Sequence, residues 1–237
     1  MFEVLWIYQV CDALDEAWER WIREQDWESV IENHLCPYVE ELLLVGDENG
    51  ETPATHNKHK KDEIQQILGE KYSVKTLADY EIFKEIVEDG DTFEENALIK
   101  AKFCFEKTGL PSIGDDSGLV VEALDGRPGI YSARYAGDHD FDKNITKVLE
   151  EMKDESNRKA YFITVLCFYD GKEIRYFEGR VDGNLLKENR GYKGFGYDPI
   201  FIPKGYEITF AEMTTEEKNK ISHRRNAIEK FLEYIHK

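Results

Sequence analysis

Two β-prone segments in the C-terminal half of the chain are joined by two turn residues. Residues 161–169 and 172–177 are rich in aromatic and β-branched side chains, and Asp170-Gly171 lies between them. An Asp-Gly pair readily adopts the positive φ angles of a type I′ turn, so these segments predict an antiparallel β-hairpin. The fold must therefore include a sheet with antiparallel neighbours.

Helical patterns alternate with strand patterns along the chain. Apolar side chains recur at helical spacing in residues 57–69, and Thr92 with Glu95 forms a capping-box pattern that opens a helix over residues 92–109. Two further helices are predicted over residues 140–153 and after Ser222. Helices that alternate with strands, together with a hairpin, predict an α/β fold in which helices flank a mixed central β-sheet.

The first 50 residues differ from the remainder. They contain all four tryptophans and 13 Asp or Glu against two Arg, a net charge of −11 within a total of −18. Their apolar spacing predicts an amphipathic helix around residues 12–34. An apolar run at residues 42–45 and a polar linker over 46–53 follow. We therefore divide the chain into an acidic, Trp-rich extension of unknown role over residues 1–53 and a domain over residues 54–237.

The composition argues against several classes of protein. A net charge of −18 does not suit a nucleic-acid-binding surface, which requires a basic face. No apolar stretch approaches the roughly 18 residues that a membrane helix needs. The four cysteines are far apart and lack metal-ligand spacing, as expected of free thiols in a reducing cytoplasm. We expect a cytoplasmic protein that binds neither nucleic acid nor membrane.

Adjacent carboxylates occur in the motif Ile113-Gly114-Asp115-Asp116-Ser117-Gly118-Leu119. The apolar flanks place Asp115 and Asp116 at a strand end or in a tight loop. Hard cations such as Mg²⁺ bind carboxylate oxygens and usually arrive with substrate phosphates. A solvated turn has the same composition, so this motif alone leaves both interpretations open.

Three further clusters have residue types that suit a nucleotide. Lys58, Lys60 and Lys61 follow Thr55 at a helix start, where backbone N–H groups favour a phosphate. Ser222 caps the last helix and places two basic residues in its first turn, against the helix dipole. Glycines on both sides of Phe195 let the backbone approach a flat ligand. A solvated helix face or an ordinary loop is also typical of each cluster taken alone.

Six motifs occur together and in one order within residues 54–237. They are Thr55-His56-Asn57-Lys58-His59-Lys60, Asp91-Thr92-Phe93-Glu94-Glu95-Asn96-Ala97-Leu98-Ile99-Lys100-Ala101, Gly114-Asp115-Asp116-Ser117-Gly118-Leu119, Pro128-Gly129-Ile130-Tyr131-Ser132-Ala133-Arg134-Tyr135, Gly194-Phe195-Gly196-Tyr197-Asp198-Pro199, and Glu216-Glu217-Lys218 through Ser222-His223-Arg224. This set closely resembles the inosine triphosphatase, or XTP/dITP diphosphatase, family of house-cleaning nucleotide pyrophosphatases. The resemblance implies an elongated fold with two lobes, a substrate cleft between them and usually a homodimer.

The resemblance also implies a reaction and a set of site residues. Water, assisted by Mg²⁺, would cleave deaminated purine nucleoside triphosphates such as ITP, dITP and XTP between the α- and β-phosphates. The implied catalytic residues are Asp116, Asp115 and Lys60, and the implied metal ligands are Glu88 and Asp116. The implied substrate-binding residues are Thr55, Asn57, Lys60, Lys100, Ser117, Phe195, Gly196, Tyr197, Asp198, Lys218, His223 and Arg224.

The implied roles divide the substrate among these residues. Thr55, Asn57 and Lys60 would hold the triphosphate, with Lys100 near it. Phe195 would stack on the base, while Lys218, His223 and Arg224 would contact the phosphates and the 6-oxo edge of the purine. Hydrogen-bond donors that face O6 are left unpaired by adenine, which carries an amino group there, and such mismatches discriminate strongly.

The chain departs from the resembled family before its first motif. In that family a short apolar strand runs directly into the Thr-x-Asn motif, but here Pro53 precedes it and does not suit a central strand. Three explanations are open: residues 42–45 supply the strand through a longer loop, the extension is a separate appendage, or the N-terminus is an annotation or reading-frame accident. The charged, Trp-rich character of residues 1–50 favours the second and third.

Two rival functions follow from the same residues. The first is a catalytically weakened nucleotide-binding protein with an altered first strand. The second is a related pyrophosphatase acting on modified pyrimidines, against which the motifs at residues 194–199 and 222–224 argue.

Overall fold

The computed structural model describes the backbone of residues 41–45, 55–69, 72–84, 86–137 and 140–236, and the side chains within this range from residue 61 onward. The predicted helix around residues 12–34 lies outside the described residues. Within the described part of the chain, no helix is long and apolar enough to cross a membrane.

A six-stranded sheet forms the centre of the molecule, with the strand order β2-β1-β3-β4-β5-β6. β1 pairs in parallel with β2 and β3, whereas the β3–β4, β4–β5 and β5–β6 pairs are antiparallel. The predicted mixed sheet is confirmed. The strands are β1 (Glu41–Val45), β2 (Ser73–Lys75), β3 (Ser112–Val121), β4 (Lys159–Tyr169), β5 (Ile174–Leu185) and β6 (Phe201–Pro203).

The predicted hairpin is the β4–β5 pair, but its turn is wider than two residues. Tyr169 pairs with Ile174, so four residues lie between the strands. The Asp170 carboxylate accepts hydrogen bonds from the backbone N–H groups of Lys172 (2.9 Å) and Glu173 (2.7 Å), which removes them from the ladder. Gly171 has a φ of 93°, the conformation expected of the glycine in this turn.

Five α-helices are present in the described residues, and the four helices predicted within these residues are confirmed. Thr92 caps α2 by accepting a hydrogen bond from the Glu95 N–H at 3.1 Å. The Glu95 carboxylate instead bonds the N–H of Asp91, one residue earlier than a capping box requires. The short helix α4 was not predicted. The helices are α1 (Thr55–Leu68), α2 (Phe93–Thr108), α3 (Phe141–Glu151), α4 (Thr215–Asn219) and α5 (His223–Ile235).

The strand β1 corrects the predicted domain boundary. It lies between β2 and β3, with Leu43 opposite Ser112 and Val45 opposite Gly114. A predicted boundary at residues 53/54 would therefore separate the sheet from one of its inner strands. The first of the three explanations holds, because residues 42–45 lie in β1 and this strand pairs on both sides, as a run of four apolar residues suits.

Helices pack on both faces of the antiparallel part of the sheet. On one face, Ala97 and Ala101 of α2 pack on Val165 and Cys167 of β4. On the other face, Phe231 of α5 lies 5.9 Å from the ring of Phe168 and 5.5 Å from that of Phe177. β3 and β4 are thus covered on both sides, and polar residues placed in the middle of β3 are buried.

Candidate active site

The adjacent carboxylates Asp115 and Asp116 lie in β3 and face opposite sides of the sheet. Asp116 contacts Lys100 of α2, whereas Asp115 contacts Arg224 of α5. Successive side chains of a strand point to opposite faces, so adjacency in the sequence separates the two groups in space. The sequence predicted a strand end or a tight loop for this pair, but both residues lie within β3. The pair supplies one carboxylate to each of two sites.

On the α2 side, Lys100 is fully buried between two carboxylates. Its Nζ lies 2.9 Å from Asp116 Oδ1 and 3.0 Å from Glu88 Oε1, and it donates to the Asp115 carbonyl oxygen at 3.0 Å. The two carboxylates therefore converge on the same ammonium, which fixes the direction in which each carboxylate points. Carboxylate oxygens are also the ligands that Mg²⁺ prefers in proteins.

The close approach of α2 to β3 depends on Gly114. A Cβ atom at this position would lie 2.0 Å from the carbonyl oxygen of Ala97. The glycine therefore lets the helix backbone touch the strand, and this contact brings Lys100 within reach of Asp116.

On the α5 side, the Arg224 guanidinium is held by two carboxylates and a hydroxyl. Its Nε lies 3.1 Å from Asp115 Oδ2 and its Nη1 lies 2.6 Å from Glu63 Oε2 of α1. Its Nη2 lies 3.3 Å from the hydroxyl of Ser117, which is itself 2.7 Å from the Thr164 hydroxyl. Ser117, predicted to bind substrate, thus belongs to the network that orients Arg224.

Glu63 was missed by sequence reasoning. In the sequence it follows Lys60, Lys61 and Asp62 and resembles one more residue of a solvated helix face, yet it is only 6% exposed. Burial alone raises the pKa of a carboxyl, but the charges of Arg224 and Lys218 outweigh it and lower the pKa of Glu63 to about 2. Glu63 is therefore ionised at neutral pH, and its negative charge offsets part of the positive charge of Arg224.

A second group of predicted residues surrounds Phe195. The Asp198 carboxylate accepts hydrogen bonds from Lys218 Nζ at 2.7 Å and from the Phe195 N–H at 2.9 Å. Lys218 Nζ in turn lies 4.7 Å from the centre of the Phe195 ring. Gly194 and Gly196 flank this ring with φ angles of 75° and 61°, a conformation that favours glycine. Asp198 therefore fixes the positions of both Lys218 and Phe195.

Two predicted contact residues, Tyr197 and His223, are buried, and their contacts with the substrate stay predictions. The ring of Tyr197 is 2% exposed and its hydroxyl donates to the Ser132 carbonyl oxygen at 2.9 Å. The ring of His223 stacks on Phe162, with 5.0 Å between centres. Burial lowers the pKa of His223 to about 3, so the imidazole is neutral and imposes no charge on the start of α5.

The side chains of Thr55, Asn57 and Lys60 lie outside the described part of the structure. Their backbone lies in the first two turns of α1. This helix follows β1, whose last residue, Val45, pairs with Gly114 just before the two aspartates. Their roles at the triphosphate stay predictions.

The donor set on the α2 side suits a magnesium ion. The described side chains include no group of three or more His, Cys, Asp or Glu that could hold a metal. Mg²⁺ does not require such a group, because it is commonly bound by one or two carboxylates together with substrate phosphates and water. Glu88 and Asp116, which converge on one ammonium, fit an ion that arrives with a nucleotide.

Relatives of this chain have the same architecture. The structure of a Ham1 protein from Staphylococcus aureus superposes with a TM-score of 0.72 at 35% identity, covering 83% of this chain and 98% of the other. A HAM1 protein from Coxiella burnetii gives a TM-score of 0.71 at 37% identity, over 81% of this chain and 95% of the other.

Sequence comparison also finds relatives that match most of this chain. A dITP/XTP pyrophosphatase of Porphyromonas gingivalis is 45% identical over 184 residues, which make up 77% of this chain and 95% of the relative. A dITP/XTP pyrophosphatase of Bacillus subtilis is 48% identical over 187 residues, or 77% of this chain and 94% of the relative. The model of the Ham1 family matches residues 52–234. The resemblance drawn from the motifs is confirmed, and the chain belongs to the Ham1 family.

Proposed function

We propose that this chain is a Mg²⁺-dependent nucleoside-triphosphate pyrophosphatase that removes dITP, ITP and XTP from the nucleotide pool of the cytoplasm. The observation that carries the proposal is the buried Lys100, whose Nζ lies within 3.0 Å of carboxylate oxygens of both Glu88 and Asp116. The relatives from Porphyromonas gingivalis and Bacillus subtilis are dITP/XTP pyrophosphatases, which supports the choice of substrate.

In this reaction a water oxygen attacks the α-phosphorus. The bond from that phosphorus to the oxygen bridging the α- and β-phosphates breaks, and its electron pair leaves with pyrophosphate. Asp116 orients the water and accepts its proton, and Lys100 stabilises the ionised form of Asp116 before the attack. Glu88 and Asp116 would hold Mg²⁺, which would supply neutralisation of the charge on the leaving group.

The base is held by the group around Phe195. The ring stacks on the purine, and Lys218 Nζ lies over the ring because Asp198 fixes both. Each Nη atom of Arg224 carries two hydrogens, and the contacts with Glu63 and Ser117 use one on each atom. The second hydrogen of each atom is left to donate to a ligand. Such fixed donors favour a 6-oxo purine over adenine, whose amino group offers no acceptor at that position.

The rival of a weakened nucleotide binder rested on an altered first strand. β1 is present and pairs on both sides, so the structure gives no reason to expect a weakened enzyme on this ground. The pyrimidine rival receives no support from the relatives, whose names specify purine nucleotides.

We also propose that the enzyme is a homodimer. Phe83 and Val87 are 71% and 72% exposed in the irregular segment that leads to Glu88, which is unusual for side chains of this size. Their burial between two copies would remove apolar surface from water. Light scattering coupled to size-exclusion chromatography distinguishes a mass of two chains from the 27.7 kDa of one.

Hydrolysis of dITP in ¹⁸O-labelled water tests the proposed reaction. Attack at the α-phosphorus gives dIMP that contains the label and pyrophosphate that does not. Mass spectrometry of the two products distinguishes this from attack at another phosphorus. Labelled orthophosphate together with dIDP would show a phosphohydrolase that removes the γ-phosphate, and the assignment of Asp116 would be wrong.

A further inference from the structure

Asn96 is a buried amide whose two ends have different surroundings. It lies in α2 one turn before Lys100 and is fully buried. Its Oδ1 accepts a hydrogen bond from the backbone N–H of Gly90 at 2.9 Å. Its Nδ2 is buried and has no hydrogen-bond partner among the described residues.

The hydrogen bond from Gly90 determines the orientation of the Asn96 amide. The Gly90 N–H needs an acceptor, and only the oxygen end of the amide can supply one. Reversing the amide would place a donor against a donor. An apolar residue of the same size would avoid the cost of the unsatisfied Nδ2, so the amide is explained by the bond that Oδ1 makes.

The Gly90 contact fixes one side of Glu88. On the other side, two residues before Glu88, Ile86 is anchored in a cluster with Leu77 and Cys104. Gly90 itself fits closely, since a Cβ there would lie 2.7 Å from Glu95 Cβ and 2.8 Å from Asn96 Oδ1. Glu88 therefore extends from a segment without helix or strand that is held at both ends.

We propose that Asn96 is a positioning residue for the Glu88–Asp116 cation site. By holding Gly90, Asn96 fixes the backbone from which the Glu88 carboxylate reaches Lys100 and a bound Mg²⁺. This inference rests on the proposed function, because it assumes that Glu88 and Asp116 hold the ion. Groups that orient metal ligands typically change metal affinity by about 10- to 100-fold when they are removed.

The test uses two variants that remove the contact in different ways. Asn96→Leu keeps the size of the side chain and removes the acceptor, while Gly90→Ala keeps Asn96 and pushes the two segments apart. Asn144→Leu is the matched control. Asn144 is also fully buried and bonds backbone groups of residues 133, 136 and 137, so its loss lowers stability without releasing Gly90.

Two readouts are measured on the full chain. The first is the Mg²⁺ concentration that gives half-maximal hydrolysis of dITP. The second is the affinity for Mn²⁺ in the presence of α,β-methylene-dITP, followed by electron paramagnetic resonance, which does not depend on turnover. We expect both variants to raise the half-maximal Mg²⁺ concentration, and to lower the affinity for Mn²⁺, by about tenfold or more. At saturating Mg²⁺ the rate should recover most of the loss, and Asn144→Leu should leave both values unchanged.

The contrary results are distinct from a failure of the proposed function. If the wild type hydrolyses dITP and requires Mg²⁺, but a folded Asn96→Leu or Gly90→Ala protein keeps the wild-type affinity for Mn²⁺, Asn96 does not position the site. An equal loss in Asn144→Leu would also overturn the proposal, because it would indicate general destabilisation. If the wild type does not need a divalent cation, the proposed function and this inference both fail.

Discussion

Asp115 and Asp116 show at the residue scale how a strand divides neighbouring side chains between two tasks. We expect Asp116→Asn to lower kcat for dITP by about two to four orders of magnitude, because the neutral amide cannot accept the proton of the attacking water. Pyrophosphate release measures this. Circular dichroism should show an unchanged fold, and an active Asp116→Asn protein would refute the assigned role.

Asp115→Asn is the matched control one residue away. It removes a partner of Arg224 on the other face of β3 and leaves the Lys100–Glu88–Asp116 cluster intact. Its Mg²⁺ dependence should therefore match that of the wild type, with the main loss in KM. A shift of the Mg²⁺ midpoint as large as that in Asp116→Asn would mean that the two carboxylates share one ion after all.

Phe195 gives a second prediction at this scale. Stacking of an aromatic side chain on a base contributes about 1–3 kcal/mol, so Phe195→Leu should raise KM for dITP by roughly 5- to 150-fold. Phe195→Tyr keeps a ring of the same shape and should stay close to the wild type. Steady-state kinetics at saturating Mg²⁺ separate the two variants, and equal KM values would exclude stacking on this ring.

The elements that short-range signals define were predictable from the sequence. Thr92 and Ser222 cap helix starts by accepting a backbone N–H with their side-chain hydroxyls, and Gly109 ends α2 by donating its own N–H, each at the position expected. The type of the Asp170 turn was not predictable, because the carboxylate competes with the ladder for two N–H groups. Glu63 depends on an arginine 161 residues away, a contact that no local pattern contains.

β1 gives the prediction at the scale of elements. β2 pairs only with β1 in the described sheet, so a chain that starts at Ala54 leaves β2 without a partner and exposes an edge of β3. A chain that starts at Glu40 keeps all six strands. We expect the longer chain to fold and to hydrolyse dITP and the shorter one to aggregate or remain unfolded, as followed by circular dichroism and pyrophosphate release. Equal activity of both would show that β1 is dispensable.

The stability of the whole molecule should fall as the solution becomes acidic. The pKa of His223 is lowered from 6.5 to about 3 by burial, so the unfolded chain binds its proton first as the pH falls below 6.5. The pKa of Glu63 is lowered to about 2, so its contribution is present above pH 4.5 and is lost below it. Both groups therefore lower the free energy of unfolding as the pH falls.

His223→Gln separates the two contributions. Between about pH 6 and pH 4.5 the wild type should lose stability relative to this variant by on the order of 1.4 kcal/mol per pH unit, because His223 is the one titratable group that differs between the two proteins. Urea unfolding at several pH values measures the difference. Parallel stability curves for the two proteins would mean that His223 is not buried in its neutral form.

The central claim, that a fixed set of donors selects 6-oxo purines, is tested most directly by comparing kcat/KM for dITP and dATP with Mg²⁺ under identical conditions. Donors fixed by Glu63, Asp115 and Asp198 leave adenine with an unpaired contact, so we predict a preference for dITP of about 10²-fold or more. Equal kcat/KM values for the two nucleotides would contradict the account, because the buried cations would then hold the phosphates alone and would not distinguish the base.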